Sequence, residues 1–245
     1  MQLKTRILAI LISATFFASC ASATTPSWSY ENRKVTSGEF PIRTACMMPV
    51  EGKLTKTTMK GGEGMSKESE NWTTTLENMV EAHLKTAGVQ IFQANDHLAS
   101  GASDDEIQQV ILQLNQKYGE IAKTLNKKPK DIGKSRYTIG DEAALLPCSA
   151  KADVIVFVEG EGQVTSGGKK AMGMLVGGSS NTSYATLVLT MADAKTGEII
   201  AFSRMSNAES FGDKFVDQTE EVYGKALNKQ FERLRIGMYI DKKKH

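Results

Sequence analysis

The spacing of apolar positions changes period several times along the chain, and each change marks an element. Trp72, Leu76, Met79, Val80, Leu84 and Ala87 recur three and four residues apart. That period puts them on one face and predicts a helix over 70–87, with Ser69 to cap its start and Gly88 placed for its C-terminal turn. Before it, the apolar run 44–50 predicts a first strand. Residues 52–67 hold Gly61, Gly62 and Gly64 among Lys, Thr and Ser, and read as a loop. A second strand is expected at 89–92. Ser103-Asp104-Asp105-Glu106 is a capping box, and Ile107, Val110, Ile111, Leu114, Tyr118, Ile121, Ala122 and Leu125 continue the helical face behind it.

Beyond a lysine-rich, irregular stretch the period shortens. Val154-Ile155-Val156-Phe157-Val158 is continuous, β-branched and aromatic, as in a strand buried on both faces. Strands over 184–191 and 197–205 follow, joined by a turn ending in Gly197. A last helix over 213–234 carries Phe215, Val216, Val222, Tyr223, Leu227 and Phe231 on one side. The order β-α-β-α-β-β-β-α predicts an α/β fold, a single mixed-sheet sandwich over residues 43–240.

The N-terminal pattern is of another kind. Lys4 and Arg6 precede an apolar run over 7–18, broken only by Ser13 and Thr15. A helix needs about 20 apolar residues to cross a bilayer, so this shorter run reads as a signal peptide, residues 1–19. Ala18-Ser19-Cys20 resembles the bacterial lipobox, with Phe17 where that motif prefers leucine. The resemblance implies that Cys20 is acylated and begins the mature chain, and Ala21 after it implies sorting to the periplasmic face of an outer membrane. Residues 20–42, rich in Ser and Thr, then read as a lipidated tether.

Charge and cysteine content refine this picture. Removing residues 1–19 takes away Lys4 and Arg6 and no acid, so 30 cations against 28 anions become a neutral mature chain. Nothing in that balance points to nucleic acid. Besides Cys20 only Cys46 and Cys148 remain, an even pair suited to a disulfide in an oxidising compartment or to two buried thiols.

One stretch resembles a known group. Ala152-Asp153 leading into the 154–158 strand, a glycine-rich connection, Asp193-Ala194-Lys195-Thr196-Gly197-Glu198-Ile199-Ile200 and a closing amphipathic helix are similar to a superfamily of bacterial envelope lipoproteins. It includes the periplasmic domain of the curli-secretion channel protein, the N-terminal domain of the Tol-system propeller protein, and lipoprotein activators of penicillin-binding proteins. The resemblance implies an anticodon-binding-domain-like sandwich without enzymatic activity.

No catalytic motif is complete in the sequence. Gly167-Gly168-Lys169-Lys170 lacks the Ser or Thr of a phosphate loop, and Gly177-Gly178-Ser179-Ser180-Asn181 lacks the closing glycine of a nucleophile elbow. His83, on the apolar side of the first long helix, and His97, in a polar loop, have no metal-ligand spacing. Glu159 and Glu161 stand two apart on a strand and should point to one side, which admits a paired acid function, although alternate exposed acids on a strand are commoner. Met172, Met174 and Leu175, set among glycines, suit a partner surface if they are exposed. The expectation is a non-catalytic envelope lipoprotein, anchored through Cys20, with no metal or cofactor. It would bind an envelope protein or self-assemble in secretion or cell-wall machinery. Alternative readings are a small-ligand or polysaccharide-binding module, and a hydrolase.

Overall fold

The computed structural model describes residues 26–95, 103–127, 137–166, 184–207 and 218–236. Eight strands form one mixed sheet: β1 (Pro26–Glu31), β2 (Thr44–Met47), β3 (Glu51–Thr58), β4 (Gly61–Gly64), β5 (Gln90–Gln93), β6 (Val154–Thr165), β7 (Tyr184–Asp193) and β8 (Ile199–Asn207). The helices are α1 (Arg33–Thr36), α2 (Ser66–Thr86), α3 (Asp104–Lys127) and α4 (Thr219–Arg233), with short 3-10 turns at Asp141–Leu145 and Pro147–Ala150.

The strand order is β1-β8-β7-β6-β2-β5, with β3 also on β6 and β4 on β3. β2 pairs in parallel with β5 and β6, as a β-α-β beginning requires, whereas β6, β7, β8 and β1 form an antiparallel series. β2 and β3 lie along successive parts of the same edge of β6. Pro49 stands between them, and with no N–H to give to a ladder it marks the break.

Strand parity divides the core. Val154, Val156 and Val158 face α2 and α4, packing with Trp72, Leu76, Val80, Leu84, Tyr223 and Leu227. Ile155 and Phe157 face α3, packing with Ile111, Leu114, Tyr118 and Leu125. The expected α/β sandwich is therefore present, with a helical layer on each side of the sheet.

Three local expectations are corrected. The stretch read as tether contains β1 from Pro26 onward, paired with β8, and Trp28 stacks on Phe202 with ring centroids 4.4 Å apart. Gln230 and Arg233 of α4 also hold β1, donating to Glu31 Oε1 at 3.2 Å and Ser29 Oγ at 2.9 Å. The stretch read as a loop, 52–67, instead forms the β3–β4 hairpin. Only Leu54 in β3 is deeply buried, so its alternation gave little hydrophobic signal. Finally, α2 starts at Ser66, and Ser69 lies inside it, where its Oγ accepts the Leu54 amide at 2.9 Å. The capping box of α3 is as expected: the Ser103 amide donates to Glu106 Oε2 at 2.9 Å, and the Glu106 amide reaches Ser103 Oγ at 3.4 Å. The last helix is described from Thr219, so residues 213–217 of the expected helix lie outside the described residues.

Cys46 on β2 and Cys148 in the second 3-10 turn are joined, with Cα atoms 5.5 Å apart, which resolves the two cysteine readings as a disulfide.

Candidate functional site: a charged groove on the sheet

The site grows from the parity of β6. Ile155 and Phe157 lie under α3, and Tyr118 stacks on Phe157 with centroids 4.3 Å apart while its hydroxyl meets Thr190 Oγ1 at 3.1 Å. The next residues of the same parity, Glu159 and Glu161, run out from beneath the helix. Glu51 and Lys53 of β3 stand opposite them in register. Thr186 and Val188 of β7, Arg204 of β8, Lys123 of α3, Thr73 of α2 and the glycines Gly52 and Gly160 complete the lining of an open cleft of about 800 Å³.

Glu159 is the electrostatic centre. Burial pushes its carboxyl up to about 7, the neighbouring charge of Glu51 pushes the same way, the Tyr118 hydroxyl opposes by hydrogen bonding, and Glu161 adds a smaller upward push. Burial likewise holds the Tyr118 hydroxyl well above its usual range. The groove thus holds a carboxyl that exchanges its proton near neutrality, in a lining where Glu51 and Glu161 are interspersed with Lys53, Lys123 and Arg204.

This placement predicts a pH dependence. Below about 4.5 the carboxyl is protonated whether the chain is folded or unfolded; between there and about 7 the unfolded chain loses its proton while the folded chain retains it. Stability therefore falls as pH rises through that window, by up to about 3 kcal/mol, and is flat above it. Glu159→Gln should flatten the slope and make the protein more resistant to denaturant at pH 8 than the native chain. Urea midpoints at pH 5 and 8 for both proteins check this; parallel slopes would refute it.

Of the sequence-predicted candidates, the structure brings Glu159 and Glu161 into one groove. His83 faces α4 rather than the sheet: Nδ1 lies 2.8 Å from Asn228 Oδ1 and Nε2 lies 2.9 Å from Glu220 Oε1. Gly224 permits that approach, since a Cβ there would stand 2.5 Å from Glu220 Oε1. With both ring nitrogens engaged, His83 ties two helices together. Cys20, His97, Met172, Met174 and Leu175 lie outside the described residues. Among the described residues no group of three or more His, Cys, Asp or Glu side chains could hold a metal, and no helix is long and apolar enough to cross a membrane.

The residues that carried the superfamily resemblance hold the framework. Asp153 Oδ2 accepts from the amides of Arg43 and Thr44 at 2.8 and 3.0 Å and from the Thr44 hydroxyl at 3.0 Å, fastening β2 beside β6. Asp193 Oδ1 accepts from the amides of Lys195 and Thr196 at 2.7 and 3.0 Å, closing the β7–β8 turn. Gly197 follows at φ +67°, with space for no Cβ, which would lie 2.4 Å from the Gly140 carbonyl oxygen. Sequence reasoning missed Glu51, Lys53, Lys123 and Arg204. The Glu-x-Lys alternation at 51–53 was a usable signal, hidden because its surroundings read as a loop.

No family model matches the chain, and no curated protein matches it. Among solved structures, it is similar to a PelC dodecamer from Paraburkholderia phytofirmans at 9% identity, covering 84% of this chain and 94% of that one, with a TM-score of 0.37. It is also similar to the LpoB C-terminal domain from Salmonella enterica at 11% identity, covering 71% and 93%, with a TM-score of 0.26.

Proposed function

We propose that the chain is a non-catalytic lipoprotein of the bacterial cell envelope, held to a membrane by acyl groups on Cys20, that acts by binding another envelope protein or further copies of itself. The observation that carries this reading is the basic-apolar run ending at Ala18-Ser19-Cys20. The Cys46–Cys148 bond supports it, because such bonds form and persist after export to an oxidising compartment. The likeness to envelope lipoproteins in element order and in the Asp153 and Asp193 motifs points the same way, and Ala21 favours the outer membrane.

In this reading the groove is the contact surface. Its lining is charged and hydroxyl-bearing and includes no aromatic ring, which suits the polar surface of a protein better than the face of a sugar. The anchor is checked by metabolic palmitate labelling, which Cys20→Ser should abolish; undiminished labelling would sink it. The contact is checked by crosslinking the full chain in intact cells. Lys53→Glu with Lys123→Glu, both on the groove wall, should remove the crosslinked species, and retention of that species would place the contact elsewhere.

A further inference from the structure

The structure shortens the anchor and thereby orients the domain. β1 starts at Pro26, six Cα–Cα steps from Cys20, a reach of at most about 20 Å. Pro26 is in register with Met205, Met205 with Leu187, Leu187 with Gly160 and Gly160 with Gly52. From that level β3 runs on in the direction from which β1 enters. It carries Met59, at the turn of the β3–β4 hairpin, about seven residues or on the order of 23 Å further.

Sheet twist reduces this projection without reversing it. β1 and β3 each lie two strands from β7, so at about 20–25° per strand both stay within roughly 50° of its direction. Measured along β7 the hairpin tip stands on the order of 16 Å beyond Pro26, within the reach of the anchor.

The chemistry of that end is distinctive. Met59 is 66% exposed, and Tyr184 at the start of β7 is 38% exposed. Lys53, Lys56 and Lys60 are exposed along the β3 arm, and β4 sets the exposed Glu63 in register with Lys56, so from Lys53 to Gly64 the hairpin carries three cations and one acid. The tip is fixed by Thr58, whose hydroxyl donates to the Gly61 carbonyl at 3.0 Å and accepts the Lys60 amide at 3.2 Å. Leu145, 62% exposed, is set beside Thr196 and Glu198 of the β7–β8 turn, at the opposite end of the sheet.

We propose that the β3–β4 hairpin rests on an anionic lipid surface as a second foot of the domain, with Met59 in the headgroup layer and Lys56 and Lys60 against lipid phosphates. This rests on the acylation of Cys20. The test uses the full acylated chain in vesicles of phosphatidylethanolamine and phosphatidylglycerol, some with brominated acyl chains. Met59→Trp and Leu145→Trp place reporters at the two ends, on exposed positions that leave the core intact. Flotation with the vesicles reads the anchor; quenching reads the foot. The Met59→Trp emission should shift to the blue and lose roughly half its added intensity to brominated lipid, the Leu145→Trp emission should not, and Lys56→Glu with Lys60→Glu should abolish the loss. A chain that floats with both reporters equally unquenched overturns the foot while leaving the anchor standing. A chain that fails to float overturns the anchor and the foot with it.

Discussion

Replacing Cys46 and Cys148 together by alanine should lower the free energy of unfolding by about 4 to 5 kcal/mol, and reducing agent should do the same to the native chain and nothing to the variant. The bond closes a loop with a sequence separation of 102, for which the chain-entropy model gives about this value. The loop so closed holds β3, β4, α2, β5 and α3. Both cysteines are buried, Cys46 fully, on the α3 side of the sheet, so serine would be a poorer substitute because each hydroxyl would lie in an apolar core. Urea midpoints with and without reductant measure the difference; a shift well under 1 kcal/mol would mean that the packing around β2 holds without the link. The expected loss is a large part of the stability of a domain of this size. Such a domain would reach full stability only after export, which fits the proposed envelope location.

The long helices were legible because a period of three and four survives any tertiary arrangement, and Trp72, Leu76, Leu114 and Leu125 all proved buried. The central strand was legible because β6 is covered on both faces along Val154–Val158. β1 and β3 were not legible, for one shared reason. They lie towards the margins of the sheet and are poor in apolar residues: β3, EGKLTKTT, buries only Leu54, and β1, PSWSYE, alternates Trp28 and Tyr30 with polar residues over too short a stretch to stand out from its polar surroundings. The same cause hid half of the groove. Glu159 and Glu161 could be placed on one side from strand parity alone, whereas Glu51, Lys53 and Arg204 required strand register, which depends on pairings distant in sequence. The D-x-K-T-G motif was legible as a pattern, and the hydrogen bonds of Asp193 give it a mechanical cause in the turn.

The other large effect lies on the reverse side of the same strand. Trp72 is fully buried between α2 and β6, its Nε1 donates to Thr219 Oγ1 at 3.2 Å, and Trp72→Ala should cost about 3 to 5 kcal/mol. Gly160 is what admits the ring: a Cβ at that position would stand 2.5 Å from Leu76 Cδ1 and 2.8 Å from Trp72 Cη2. Gly160→Ala alone should therefore destabilise by about 1 to 3 kcal/mol through overpacking. In a Trp72→Ala background the added methyl enters the vacated space, so the two changes should combine to less than their sum. Denaturation of the two single variants and the double variant measures the coupling, and strict additivity would show that Gly160 and Trp72 do not share that space. The consequence reaches the groove, because Gly160 lies between Glu159 and Glu161 and any displacement of β6 away from α2 moves both acids. The pH slope assigned to Glu159 should then change in Gly160→Ala and recover in the double variant. That result would make the packing of Trp72 on one face of β6 a determinant of the proton-exchanging carboxyl on the other.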